Sequence, residues 1–379
     1  MELPSQGLYP APQNGRGHVP ILRRRISAQG LRPERSDAAR TASPRVTGRQ
    51  DGAGLRRLPL PPSAVDRRHA SEPPMSRAAL IEQLLRLLAR LPLPLLHAGG
   101  ALAGTLAALI PNNARHTARV NIELCFPDRS IAHKRALVRC SLRESAKALL
   151  ELGPLWHRPP QRLLQLIRDV EGSEILDAAI ASGRGVLIVA PHLGAWELLQ
   201  VWVARRTSLH ALYRPPRQPE LEELINRARG RSGAHFWPAR PAGVRALYRA
   251  LRAGAAIGIL PDQQPPGEGV FAPFFGVPAK TMTLLGKLAA RSRAPIVIGW
   301  AERLAHGRGY RLHWRTVDEA VRDSDPLRAA TAMNRAIEAA VRQQPCQYQW
   351  SYRRFSRRPE GEPNPYKLYC RQGGWVTPA

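Results

Sequence analysis

His192 and Glu197 stand five residues apart in the run Pro191-His-Leu-Gly-Ala-Trp-Glu197. An imidazole beside a carboxylate is a general base with an orienting partner. The carboxylate accepts a hydrogen bond from one ring nitrogen, fixes the tautomer and stabilises the imidazolium, and the other nitrogen is left to take a proton from a hydroxyl. This is the chemistry of acyl transfer without an enzyme nucleophile, in which His activates the acceptor alcohol. The same spacing also describes a capping Glu beside a partly buried His, so the elements around the pair have to decide.

Residues 186–190 form a short apolar, β-branched run ended by Pro191, the pattern of a buried strand. Residues 194–206 continue as a helix with Trp196, Leu199, Trp202 and Val203 on one stripe. His192 is therefore expected at the C-terminal end of a strand, where open α/β sheets bind ligands. Glu197 is expected in the first turn of the following helix, whose backbone N–H groups favour developing negative charge. Further strands are expected over 209–213, 235–237, 256–260, 295–301 and 310–317, with helices over 219–229, 242–252, 281–291 and 326–342 and a hairpin at 306–309. This alternation predicts an α/β fold: a central, largely parallel sheet flanked by helices, with an antiparallel edge. Its strand ends bring His192, Arg214 and Asp262 to one side of the sheet.

A second set of candidates closes the helix over 219–229. Three Arg at alternating positions in Asn226-Arg-Ala-Arg-Gly-Arg231 cannot share one helical face, so at least one is expected to turn inward. A guanidinium there binds phosphate bidentately or polarises a carbonyl oxygen; the alternative is a solvated helix end whose cations complement the dipole. Asp262 precedes a Gly/Pro/Phe loop and is suited to hold an Arg, to contact acceptor hydroxyls or to cap a turn. Phe271, Phe274 and Phe275 on that loop form either an apolar wall for an acyl chain or part of the core. Residues 348–359 interleave aromatics with Arg, a pattern for stacking on nucleic-acid bases or for a lipid headgroup interface.

Composition narrows the partners. The chain has 57 Lys and Arg against 29 Asp and Glu, a formal charge of +28, and all but five of the cations are Arg. That charge calls for a polyanionic partner. No zinc-finger, RRM-like or basic-zipper pattern is present, which argues against nucleic acid. Cys125, Cys140, Cys346 and Cys370 are scattered and read as free thiols in a reducing compartment, without a zinc site.

Residues 1–74 hold thirteen Arg, six acidic residues and eleven Pro without periodicity, a disordered composition. The character changes at Met75, which reads as the true start of translation. Residues 75–113 read as a membrane-associated helical region: an amphipathic helix over 78–89, then twenty residues (91–110) without Lys, Arg, Asp or Glu. Pro92, Pro94 and Gly99-Gly100 interrupt that second run, leaving a spanning anchor, an interfacial or re-entrant helix, or a core helix as readings. A polar link over 113–128 leads to helices over 130–152, 161–167 and 173–181. The α/β domain is expected over 114–365, followed by a tail over 366–379.

Taken in order, Asn121-Ile-Glu-Leu-Cys-Phe-Pro127, Pro191-His-Leu-Gly-Ala-Trp-Glu197, Tyr213-Arg-Pro215, Arg227-Ala-Arg229, Pro261-Asp-Gln263, Phe271-Ala-Pro-Phe-Phe-Gly276 and Tyr348-Gln-Trp-Ser-Tyr-Arg-Arg-Phe-Ser-Arg-Arg-Pro359 carry a resemblance. The chain resembles the bacterial late acyltransferases of lipid A biosynthesis, within the lysophospholipid acyltransferase superfamily, from Met75 to Pro365. The resemblance implies a glycerolipid acyltransferase-like fold. It implies transfer of a lauroyl or myristoyl group from acyl carrier protein to a hydroxyacyl chain of a phosphorylated glucosamine disaccharide that usually bears Kdo sugars. By position, His192 is the general base, Glu197 its partner and Arg229 the stabiliser of the thioester oxyanion; Asp262 matches a further acidic residue needed for activity. Arg214, Arg231 and Gln263 match substrate-binding positions. No metal or cofactor is implied beyond the acyl carrier protein thioester. The implied partners are acyl carrier protein, the lipid A precursor and an anionic membrane, with no nucleic acid, at the cytoplasmic face of the inner membrane. Two other readings are an acyltransferase of the same fold acting on a lysophospholipid or another glycolipid, and a non-catalytic Arg-rich protein that binds nucleic acid or membrane surfaces salt-dependently.

Overall fold

The computed structural model describes residues 77–216 and 218–372 of the chain. The expectations for residues 1–74 and for a start at Met75 lie outside the described residues. In chain order the elements are α1 (Arg77–Arg90), α2 (Leu93–Leu109), α3 (Asn113–Cys125), α4 (Ile131–His157), α5 (Pro160–Leu164), β1 (Ile167–Glu171), α6 (Ser173–Ala181), β2 (Val186–Val189), α7 (Glu197–Ala204) and β3 (Leu209–Tyr213). They continue with α8 (Pro219–Gly230), β4 (His235–Pro238), α9 (Pro241–Arg252), β5 (Ala256–Ile259), β6 (Val270–Phe274), β7 (Val277–Thr281), α10 (Leu284–Ser292), β8 (Ile296–Arg303), β9 (Tyr310–Thr316), α11 (Pro326–Gln343) and α12 (Pro365–Gln372).

The fold is α/β. Seven strands form one sheet in the order β1-β9-β8-β2-β5-β3-β4. The neighbours from β8 through β2, β5 and β3 to β4 are parallel; β9 turns back antiparallel to β8, and β1 closes that edge parallel to β9. A strand buried on both faces needs apolar side chains at every position, and β2 is buried throughout. Its side chains alternate between two cores. Leu187 and Val189 join Leu247, Leu285 and Ile337 of α9, α10 and α11. Val186 and Ile188 join Leu163, Leu176 and Leu198 of α5, α6 and α7.

Three segments depart from the sequence expectation. The expected polar link over 113–128 is helix α3, capped by Asn112, whose side chain accepts from Arg115 N at 2.9 Å. The helix expected to end at 167 gives way to strand β1, which pairs parallel with β9. The expected loop after Asp262 contains the antiparallel hairpin β6–β7. Each segment is short or mixed in polarity, and its conformation is set by the neighbour it packs on rather than by local periodicity.

α1 and α2 lie against the long helix α4. A Cβ at Gly104 would stand 2.4 Å from Arg143 Cα, so glycine is what lets α2 approach α4 this closely. Among the described residues no single helix is long and apolar enough to cross a membrane. α2 and α3 together have the length, but they are bent by 81°. The reading of four free thiols is corrected: Cys140 on α4 and Cys346 form a disulfide across 206 residues of sequence. Scattered spacing conceals a pairing that only the tertiary fold creates. Cys125 is a buried thiol.

Candidate active site

Parallel pairing of β2 with β5 matches Val189 to Ile259. Each chain then runs on three residues to a functional group, His192 after β2 and Asp262 after β5. The register therefore carries the two side by side. His192 Nδ1 lies 2.9 Å from Asp262 Oδ1, and the His192 backbone N–H donates to Oδ2 at 2.9 Å. An ionised carboxylate only accepts, so Nδ1 bears the proton and Nε2 is the basic nitrogen. Asp262 is buried, which by itself raises its pKa. The charge of His192 and hydrogen bonds from its ring and backbone outweigh burial and hold the carboxyl below its ordinary range. The Trp196 ring packs against the imidazole at 5.1 Å between centroids.

Glu197 does not meet the imidazole. It begins α7 only after a seven-residue loop, and its carboxylate turns to α8. There Arg229 donates to it through Nη2 at 2.5 Å and Nε at 3.3 Å, and Gln200 Nε2 adds a bond at 2.7 Å. The expected His192–Glu197 hydrogen bond is thus replaced by two pairs, His192–Asp262 and Arg229–Glu197. Burial alone would lower the Arg229 pKa; the Glu197 carboxylate outweighs it and holds the guanidinium firmly charged. Arg229 is the inward member of the three alternating arginines.

The loop between His192 and Trp196 has its backbone groups tied down. Gln349 N donates to His192 O at 3.1 Å, Gly194 N to Gln347 O at 3.0 Å and Ala195 N to Ala301 O at 2.8 Å. Arg303 Nη2 donates to Gly194 O at 3.0 Å. Gly194 has φ +62°, and a Cβ there would lie 1.9 Å from Ala301 O, so no other residue fits. Arg303 is itself fixed by Glu151 at 2.8 Å, and Glu151 by His97 of α2 at 2.5 Å. Glu151 is buried, which raises its pKa, but Arg303 and His97 outweigh this and keep it ionised. The chain of contacts runs from α2 to the loop that carries His192.

The segment over 345–350 supplies much of this cradle. Gln347 brackets Arg303 with its side chain, accepting from Arg303 N at 2.8 Å and donating to its carbonyl at 3.0 Å. Tyr348 is buried under Asp262. Burial and then the Asp262 charge push its hydroxyl well above the ordinary range, so it stays protonated. The two surface roles expected of residues 348–359 do not hold for Tyr348, Trp350 and Phe355, which are buried with Phe274 and Phe275 in the core. Asn121 holds this stretch by donating to Trp350 O at 2.6 Å and Tyr352 O at 2.7 Å. Phe274 and Phe275 accordingly serve as core rather than as an open wall.

The remaining candidates separate. Gln263 donates to Gln349 Oε1 at 3.0 Å and braces the residue that holds the His192 carbonyl. Arg214 is exposed beyond β3, two strands from β2 and so about 10 Å across the sheet. Arg231 is exposed and donates to His157 O at 3.1 Å, at the end of α4. Gly194, Arg303, Gln347 and Gln349 were not singled out by the sequence. Only the glycine had a local signal, its place in a tight strand-to-helix turn. Among the described residues no cluster of three or more His, Cys, Asp or Glu is placed to hold a metal ion.

Comparison with known proteins bears on what this arrangement serves. A family model described as bacterial lipid A biosynthesis acyltransferase matches residues 69–357. A lipid A biosynthesis palmitoleoyltransferase of Escherichia coli K12 is 32% identical over 75% of this chain and 92% of the relative. A lauroyltransferase of the same organism is 30% identical over the same shares, and a myristoyltransferase 27% identical over 70% and 82%. With the match spanning both the loop that carries His192 and the strands that hold it, the chain belongs to the bacterial lipid A biosynthesis acyltransferase family.

Proposed function

We propose that the protein transfers a fatty acyl group from acyl carrier protein to the hydroxyl of a hydroxyacyl chain on a Kdo-bearing, phosphorylated lipid A precursor. The observation that carries the reading is the imidazole of His192, held at Nδ1 by a buried carboxylate with Nε2 left basic at the C-terminal ends of parallel strands. In this mechanism Nε2 removes the acceptor hydroxyl proton as oxygen attacks the thioester carbonyl. Arg229, locked by Glu197, stabilises the oxyanion with its remaining N–H groups. Collapse breaks the C–S bond, and the imidazolium returns its proton to the departing sulfur. A thioester is already activated, so one base and one oxyanion stabiliser suffice, and the chemistry calls for no resident metal or cofactor. Asp262 takes the orienting role first assigned to Glu197.

Arg214 and Arg231 belong to this reading as contacts to the anionic acceptor, and Gln263 as a support of the site. The basic surface suits an acidic carrier protein and an anionic leaflet. Exposed Leu80, Leu84, Leu87, Leu95, Leu106 and Leu109 on α1 and α2 suit insertion into the lipid interface at the cytoplasmic face of the inner membrane. Nucleic acid has no part in it. The relatives differ in the acyl group named, so the donor chain is read from the product.

The test is product mass with purified protein, acyl-loaded carrier protein and the precursor. One acyl chain is gained with the native protein. His192→Ala, still folded, loses about 10²–10⁴-fold in rate, the usual worth of a general base. Near-native turnover by that variant refutes the mechanism, and no gain on this acceptor with gain on a lysophospholipid refutes the substrate.

A further inference from the structure

A cavity of about 510 Å³ opens where α1, α4 and α8 meet, lined among others by Glu82, Arg86, Trp156, His157, Arg227 and Arg231. It is distinct from the pair that binds Glu197. Two residues along a helix is a turn of about 200°, so Arg227 and Arg231 face away from Arg229. Three guanidinium groups line the cavity against one carboxylate. Glu82 is shared, taking Arg86 Nη2 at 2.5 Å on one oxygen and Arg227 Nη2 at 3.1 Å on the other. Arg227 also reaches Glu223 at 2.7 Å, on the exposed face of α8. Among the described residues Arg231 donates to a neutral acceptor, the His157 carbonyl. Each guanidinium has five N–H donors, so most remain to serve a ligand. His157 reports the local field: burial first, then Arg86 and Arg231, push its pKa below the ordinary value.

The surroundings say what kind of molecule arrives. α1, which supplies Glu82 and Arg86, also presents Leu80, Leu84 and Leu87 outward. α8, which supplies Arg227 and Arg231, carries Arg229 into the catalytic site. An amphiphile with chains along α1 therefore brings its head to this cavity while another part reaches the site across α8. We propose that the cavity binds a phosphate monoester on the headgroup of the acceptor lipid, with Arg86, Arg227 and Arg231 as its ligands. A phosphate monoester carries about −1.5 to −2 charge at pH 7, and three guanidinium groups face it against a single lining carboxylate, Glu82. Planar guanidinium forks suit its oxygens bidentately. The inference rests on the acyltransferase reading above and adds Arg86 and Arg227 to it.

Two measurements on the full chain test it, using wild type and the Arg86→Gln/Arg227→Gln double variant. In steady-state turnover the variant raises KM for the phosphorylated acceptor roughly tenfold or more, since charge-assisted bonds contribute about 1.5–3 kcal/mol, with a much smaller change in kcat. On an acceptor stripped of its phosphates by a phosphatase, wild type and variant converge. An unchanged KM, an equal loss on both acceptors, or a rise confined to the acyl donor overturns the proposal. The second measurement needs no turnover. Vesicles of phosphatidylcholine with phosphatidic acid, a monoester, are compared with vesicles holding phosphatidylglycerol, a diester, at matched charge. Wild type prefers phosphatidic acid and the variant loses the preference; no preference in wild type overturns the pocket. Preference without transfer to any acceptor would instead overturn the acyltransferase reading and leave the pocket standing.

Discussion

At the scale of single residues, two carboxylates compete for one imidazole and the sheet register decides. Asp262 follows a strand directly hydrogen-bonded to the one that carries His192, at the same offset from paired residues. Glu197 is close in sequence, but the loop before α7 carries it toward α8, where an arginine claims it. Sequence spacing singled out His192, Glu197, Arg229 and Asp262 and expected His192 to meet Glu197; the fold instead pairs His192 with Asp262 and Arg229 with Glu197. The i to i+5 relation assumed a helix starting at Gly194, whereas that residue sits at φ +62° in a turn and the helix begins at Glu197. The partner of a base at a strand end is set by the neighbouring strand, and strand order is not visible in a single sequence.

At the scale of elements, periodicity was enough for most strands and helices of the α/β domain. β2, β3, β5 and α8, α9 and α11 lie within a residue or two of where their apolar patterns place them. β1 was illegible because it is short and mostly polar and its partner lies far away in sequence, and the β6–β7 hairpin because Pro273 and Pro278 interrupt its apolar runs. The disulfide was hidden for the same reason. It ties α4 to the segment carrying Gln347, Tyr348 and Gln349, which cradles the catalytic loop. Cys140→Ser should lower the unfolding free energy by about 2–4 kcal/mol, read as a fall in Tm without reductant. Excess dithiol should bring wild type down to the variant. Two free thiols at these positions in the native protein, found by alkylation and mass, would contradict the bond.

At the scale of the whole molecule, the apolar surface is polarised. Among the described residues, ten of the fourteen large hydrophobic side chains that stand exposed belong to α1, α2 or their ends. Of the two, α2 reaches the site through His97, which holds Glu151 of α4 and through it Arg303. This explains why the sequence over 91–110 supported several readings: its composition is that of a lipid-facing helix, while Gly100, Gly104 and His97 are buried against α4. Composition does not say which face of a helix is covered. Replacing Leu84 and Leu106 together by Asp should remove about 3 kcal/mol or more of interfacial burial, a fall of about 100-fold in partition to anionic vesicles. Soluble turnover in detergent should survive. Unchanged partition would place the membrane-facing surface elsewhere.

The central claim, that His192 acts as base under the control of Asp262, is tested most directly by the pH dependence of kcat/KM in Asp262→Asn, with Glu197→Gln measured alongside. Loss of the carboxylate removes a charge that stabilises the imidazolium, so the base deprotonates more readily. The acid limb should therefore move to lower pH by about one pH unit or more, with a lower plateau because the ring is no longer held. Glu197→Gln should depress the plateau through Arg229 and leave the acid limb in place. An acid limb that shifts in Glu197→Gln and stays fixed in Asp262→Asn would contradict the assignment and restore Glu197 as the partner of His192.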